Sequence, residues 1–271
     1  MRVWCAKCET YDMRAPFTLL LTLCMATMFF VAGCAETTSV DSPVGAETAA
    51  PEEVVTKNVV AETDAKGPRI LAMGDSMMAW HSFTGQSIPH TMESVLGEPV
   101  FSNAISGAKI TYKLPLSGAM GMRIENQYRK GDWDWVVLNG GGNDLWLGCG
   151  CGKCVGKLNK MISEDGKRGV IPMMVQKYRH AGAQVAWVGY LRSPGAWSPV
   201  EGCRDTGNEL EQRINKLAAI DPGVHYVSLA DLVPNGDRSF HTFDMIHPSI
   251  KGSREIGKRV ASVIAAHDAA R

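Results

Sequence analysis

From residue 68 onward, short apolar runs alternate with stretches in which apolar side chains recur every three or four positions. The first pattern predicts buried strands and the second amphipathic helices. Strands are expected at 69–73, 99–104, 133–138, 185–191 and 225–229, and helices at 88–96, 119–130, 153–163, 170–181, 208–220 and 249–267. The last helix carries Ile256, Val260, Val263 and Ile264 at helical spacing, so one of its faces is expected to pack on a sheet. Alternation of the two element types predicts an α/β fold. Five parallel strands joined by right-handed crossovers make a three-layer α/β/α sandwich. No internal repeat is found.

The N-terminal quarter follows neither pattern. Arg2, Lys7 and Arg14 precede an uncharged, mostly apolar run from Phe17 to Ala32, too short to span a bilayer comfortably and read as a signal peptide. Met13-Arg14 is a more natural start than Met1, because it sets a positive charge just before the run. The run closes on Val31-Ala32-Gly33-Cys34, which resembles the bacterial lipobox, where cleavage precedes a cysteine that then receives lipid; a simple secretory signal is the alternative. From Ala35 to Lys66 there are seven acids, two lysines and no aromatic residue, a composition expected to form an extended tether. Residues 1–33 are thus expected to be a signal peptide, 34–66 a lipidated cysteine and its tether, and 67–271 the folded domain. The expected location is extracytoplasmic, with a lipid anchor on Cys34. The alanine after that cysteine resembles the sorting signal for an outer membrane facing the periplasm.

Charge narrows the partners. Twenty-eight basic residues balance 28 acidic ones over 271 residues, which argues against nucleic acid, whose binders present a basic face.

The candidate chemistry lies where strands are expected to end. Ile70-Leu71-Ala72-Met73 runs straight into Gly74-Asp75-Ser76, leaving a hydroxyl at a strand's carboxyl end, where open parallel sheets bind ligands. After the second strand comes Asn103-Ala104-Ile105-Ser106-Gly107, whose glycine lets backbone approach a ligand and offer its N–H. After the third comes Gly140-Gly141-Gly142-Asn143-Asp144, read as a flexible loop bearing one amide donor. The loop before the last helix reads Asp244-Met245-Ile246-His247, an acid placed to fold back onto a ring three residues on and fix its tautomer. A serine is a poor nucleophile until a base removes its proton, and the resulting oxyanion needs donors already in place. Ser76, His247 and Asp244 meet the first need; the N–H groups of Ser76 and Gly107 and the amide of Asn143 meet the second. His241, with Asp237 or Asp231, is the nearest rival pair. His81, His90, His180 and His225 are read as structural.

These blocks, Gly74-Asp75-Ser76, Gly107, Gly141-Gly142-Asn143-Asp144 and Asp244-Met245-Ile246-His247, resemble in order those of the SGNH or GDSL hydrolase superfamily. Met77 stands where the first block usually has leucine. The resemblance implies a flavodoxin-like sheet and hydrolysis or transfer of acyl groups, chiefly from oxygen esters, without a metal or other cofactor. It leaves the substrate open among O-acetylated envelope glycans, short-chain or aryl esters and lysophospholipid. Trp146, Trp80, Trp197 and Tyr112 are candidates to line the pocket. The competing readings are a non-catalytic, glycan-binding lipoprotein of the same fold and a protein that handles metal or thiols through its cysteines.

With Cys34 assigned to lipid and Cys5, Cys8 and Cys24 set aside, Cys149, Cys151, Cys154 and Cys203 remain. Export favours two disulfides, one inside the cluster and one from it to Cys203, with the pairing open. A four-thiolate zinc site is the alternative, although C-x-C-x-x-C lacks the usual pair of knuckles.

Overall fold

A computed structural model describes residues 67–270. The segments expected to be a signal peptide, a lipobox with Cys34 and an acidic tether lie outside the described residues. Five strands, β1 (Ile70–Met73), β2 (Val100–Ser102), β3 (Trp135–Leu138), β4 (Gln184–Val188) and β5 (Val224–Val227), form one wholly parallel sheet in the order β2-β1-β3-β4-β5.

Eight α-helical segments connect the strands or follow them: α1 (Ser76–Ala79), α2 (Ile88–Leu96), α3 (Pro115–Ser117), α4 (Gly142–Cys149), α5 (Val155–Met161), α6 (Val170–His180), α7 (Arg204–Ile220) and α8 (Ile250–Asp268). Strand side chains point alternately to the two faces, so each strand feeds two cores. Leu71, Met73, Val136, Leu138, Val185 and Trp187 pack with side chains of α4, α5, α6 and α7. Ile70, Ala72, Trp135, Val137, Ala186 and Val188 pack with Met77 and Met78 of α1, Ile88 and Met92 of α2, and Ile256, Val260 and Ile264 of α8. Both faces are covered, which explains why β1 and β3 are buried at every position and read as unbroken apolar runs. The three-layer sandwich is the one expected from the alternation of patterns.

The strand order places the site. The chain leaves β1 toward β2, then returns across β1 to build β3, β4 and β5 on the other side. The reversal opens a crevice at the carboxyl ends of β1 and β3, the position at which doubly wound sheets bind ligands.

Two expectations need correction. Residues 119–130 are not a continuous helix: they form a π-type turn at Gly118–Met122 and a 3-10 turn at Ile124–Gln127, because Gly121 adopts φ +96° and Arg123 is extended. The segment from Gly142 is not a loop but α4, entered through Gly141 at φ +104°. Its Asp144, buried completely, accepts from the backbone N–H of Ile110 at 2.8 Å and of Thr111 at 2.9 Å and from the Thr111 hydroxyl. The isolated sequence has no sign of these partners, and with them a glycine-rich turn becomes a rigid helix start.

Candidate active site

Ser76 owes its position to a turn that requires glycine at residue 74. Gly74 takes φ +147°, and a side chain there would collide with that of Asn139, the residue after β3. Gln127 closes the turn from outside, accepting from Gly74 N–H at 2.7 Å and donating to the Gly74 carbonyl at 2.9 Å. Asp75 caps α1 by accepting from Met77 N–H at 3.0 Å. The same buried carboxylate accepts from Asn139 Nδ2 at 2.7 Å and from the Tyr190 hydroxyl. Burial pushes the Asp75 carboxyl up, while Tyr190, Asn139 and the Met77 N–H pull it down. Tyr190 in turn accepts from Gly142 N–H at 2.9 Å, so one hydroxyl joins the starts of α1 and α4. The Tyr190 hydroxyl is itself held well above its ordinary range by burial and by the neighbouring Asp75 charge.

The other half of the site comes from the far end of the chain. A bridge between His241 and Pro248 and a bond from Thr242 N–H to the His247 carbonyl at 2.9 Å pinch residues 241–248 into a tight loop, with Met245 at φ +57°. Inside it Asp244 accepts from the N–H groups of Ile246 and His247 at 2.9 and 3.0 Å and from the Thr242 hydroxyl at 2.6 Å. Burial alone would raise the Asp244 carboxyl, but these donors and the His247 ring together hold it well below the usual carboxylate range.

Across the crevice the two halves meet. Asp244 Oδ2 lies 2.6 Å from His247 Nδ1, and His247 Nε2 lies 2.9 Å from Ser76 Oγ. The carboxylate can only accept, so Nδ1 carries a proton and Nε2 is left to accept from the serine. Serine, imidazole and carboxylate, 171 and 3 residues apart in sequence, thus form one hydrogen-bonded line.

The residues expected around this line divide. Asn143 faces it from the wall of a cavity of about 380 Å³ shared with Ser76 and His247, and its Nδ2 donates to the Ala108 carbonyl at 3.1 Å. That bond sets Asn143 against the Gly107 turn. Gly107 itself, at φ +80°, is not part of the cavity wall. Among the described residues no acceptor is found for the N–H of Ser76 or of Gly107. Trp146 lines the cavity, with Leu145, Leu191, Val200, Leu210 and Ile246, so the space is largely apolar. Trp80 stacks on His247 instead, at 3.7 Å between ring centres. Trp197 is 78% exposed, and Tyr112 is engaged with Ser117 away from the cavity. The rival acids are engaged elsewhere, Asp237 with Lys251 and Asp231 with Arg259, so neither orients the buried His241 ring, whose Nδ1 has no partner among the described residues. His81 bonds the Pro248 carbonyl, His90 the Ser87 hydroxyl and His225 the Gln184 amide.

The four cysteines form two disulfides, Cys149–Cys154 and Cys151–Cys203. This is the expected division, one bridge inside the cluster and one to Cys203, and it leaves no thiolate set for the zinc alternative. Cys203 belongs to the cavity wall, so the longer bridge anchors that wall to the end of α4.

A family model for the GDSL-like lipase/acylhydrolase family matches residues 72–255, more than half of the chain. The chain belongs to that family. As a GDSL-like acylhydrolase it is a carboxylic ester hydrolase. Solved structures share its fold. A lipolytic protein of the G-D-S-L family from Desulfitobacterium hafniense is 13% identical over 73% of this chain and 99% of its own, with a TM-score of 0.52. A carbohydrate acetylesterase family member from Sinorhizobium meliloti is 14% identical over 73% and 97%, also at 0.52. A psychrotrophic esterase from Pseudoalteromonas is 17% identical over 73% and 96%, at 0.50. No curated protein matches the sequence. Tyr190, Asn139, Gln127 and Trp80, which shape the GDSL-like site here, were not assigned these places from the sequence; the first two stand at strand carboxyl ends, the one positional signal that marks them.

Proposed function

We propose that this GDSL-like hydrolase is a serine esterase in which Ser76 is the nucleophile, His247 the general base and Asp244 the group that orients the ring. The hydrogen-bonded line from Asp244 through His247 to Ser76 carries this reading. As Ser76 Oγ attacks the acyl carbon, His247 Nε2 takes its proton. The charge gathering on the carbonyl oxygen is met by the N–H of Ser76 and the amide of Asn143, with the N–H of Gly107, in the turn that Asn143 adjoins at the cavity's margin, as the third proposed donor. His247 then gives the proton to the departing alkoxide, leaving an acyl-serine. Water, deprotonated by the same nitrogen, attacks that ester, and as the bond from the acyl carbon to Ser76 Oγ breaks, His247 returns the proton to Oγ and the acid is released. Asp244 stays ionised throughout and keeps Nδ1 protonated.

Short-chain and O-acetyl esters are the proposed substrates, with acetylated envelope glycans favoured by the proposed location. The Sinorhizobium neighbour's description as a carbohydrate acetylesterase family member suggests the same class to test. The chain is further proposed to be exported and anchored by lipid on Cys34, with the segment to residue 66 as tether and residues 67–271 as the enzyme.

An ester panel of increasing acyl length, with acetylated glycans, tests the activity on the purified protein and on Ser76→Ala. The expected result is turnover that falls by about a thousandfold or more in the variant while its melting temperature holds. Glycan retention with equal, negligible hydrolysis in both proteins would replace the esterase with a binding protein. Metabolic labelling with a radiolabelled fatty acid tests the anchor: label is expected on the chain and absent from Cys34→Ala. Label retained in that variant would remove Cys34 from the scheme.

A further inference from the structure

Ser76 and Trp80 are one helical turn apart, and the Trp80 N–H donates to the Ser76 carbonyl at 2.8 Å, so both side chains leave the same short helix toward His247. Ser76 meets the edge of the imidazole. Trp80 lies flat over its face, 3.7 Å between centres with the planes 3° apart. His81 continues the bracket: its ring packs edge-on to Trp80 at 6.3 Å, and its Nε2 donates to the carbonyl of Pro248, the neighbour of His247, at 3.1 Å. The two in-plane hydrogen bonds at Nδ1 and Nε2 leave the ring free to rock about the axis joining them. A flat contact on the face removes that freedom.

We infer that Trp80 is a positioning residue of the hydrolysis, fixing the plane of the His247 ring and stabilising it electrostatically in the imidazolium form that arises each time the ring holds the Ser76 proton. The negative face of an indole attracts a cation, whereas it has little to offer the neutral ring, so the contact strengthens as the barrier is climbed. This rests on the esterase reading above. The other charged or titratable groups near the ring are Asp244 and His241 on its own loop, Asp75 beneath Ser76, His81 beside Trp80, and Tyr190, Arg192, Glu201 and Arg204 around the shared cavity. All of them are kept in the variants that follow.

The test compares the unsubstituted chain with Trp80→Leu, which shields the ring without a π face, and Trp80→Phe, which keeps a weaker one. With p-nitrophenyl acetate, Trp80→Leu is expected to lose about threefold to tenfold in kcat with KM unchanged, and to move the acid limb of kcat/KM to lower pH by a similar factor in proton affinity. Trp80→Phe is expected to fall between. A pH profile of Trp80→Leu that superimposes on that of the unsubstituted chain, or a loss confined to KM, would overturn the inference. A second readout needs no turnover and no leucine variant. An imidazolium in contact quenches indole emission, so the emission difference between Ser76→Ala and Ser76→Ala/Trp80→Phe should show a one-proton step that is absent when His247→Gln is added. No such step overturns the stack even if no ester is hydrolysed, whereas a step without hydrolysis leaves the stack standing and removes the esterase.

Discussion

At the scale of single residues, the site depends on side chains that are over-determined by their neighbours. Asp244 receives four hydrogen bonds inside a loop of eight residues, and these hold it ionised far below the ordinary carboxylate range. A carboxylate whose folded pKa is depressed contributes stability that is fully present above its unfolded value, near ~3.9, and that is lost as the pH falls through the lower folded value. Asp244→Asn is therefore expected to flatten the acid side of the stability curve below pH ~4, read by urea unfolding at stepped pH. It is also expected to lower kcat by roughly a hundredfold to ten-thousandfold at neutral pH, because the amide no longer selects the Nδ1–H tautomer. An unchanged acid slope would show that the loop does not hold the ionised carboxylate as drawn. Tyr190 shows the same economy of contact: one hydroxyl serves both Asp75 and Gly142, and its own backbone N–H is held by the buried Glu211 at 2.8 Å.

At the scale of elements, the cavity wall is set by how α4, α5 and α7 are tied. Cys149–Cys154 closes a loop of five residues between the end of α4 and the start of α5, whereas Cys151–Cys203 closes one of 52 and joins α4 to the turn that opens α7. Loop-closure entropy grows with the logarithm of length, so the longer bridge is worth about 4 kcal/mol and the shorter about 2 kcal/mol. Replacing Cys151 and Cys203 together by serine is expected to lower stability by about twice as much as replacing Cys149 and Cys154, measured by urea unfolding. It is also expected to affect activity more, because Cys203 belongs to the cavity wall. Equal losses would mean that the unfolded chain already keeps these segments together.

At the scale of the whole molecule, the sheet is closed at the end opposite the site by a polar knot. Arg69, just before β1, bonds Glu98 at 2.6 Å and Asp268 at 2.8 Å, and Asp268 also accepts from the indole N–H of the fully buried Trp135 at 2.9 Å. The last turn of α8 is thereby fastened to β1 and β3, the two strands flanking the crevice. Asp268→Ala leaves a buried indole N–H without its acceptor, and a loss of about 1–2 kcal/mol is expected. In a domain of this size that is a fall of several degrees in melting temperature by calorimetry. Because α8 follows directly on the loop of Asp244 and His247, the variant also tests whether anchoring the far end of the helix matters for the site; kcat within twofold of the parent would show that it does not.

What the sequence determined by itself is what local chemistry dictates. Apolar runs in Ile70–Met73 and Trp135–Leu138, helical spacing in Ile256, Val260 and Ile264, and the Gly-Asp-Ser turn mark strands, a packed helix and a hydroxyl at a strand end, because periodicity and backbone sterics act within a few residues. The acid and histidine three residues apart were legible for the same reason. The tertiary structure alone decided that residues 119–130 break at Gly121 so that Gln127 can brace Gly74, and that Gly142 begins a helix because Asp144 finds Ile110 and Thr111 from another loop. It alone chose the cysteine pairing and laid Trp80 on His247. Apart from the short Cys149–Cys154 bridge, whose choice among three neighbouring cysteines the spacing leaves open, each of these rests on partners that only the fold brings together, and contacts made at such distance along the chain leave no periodic trace in it.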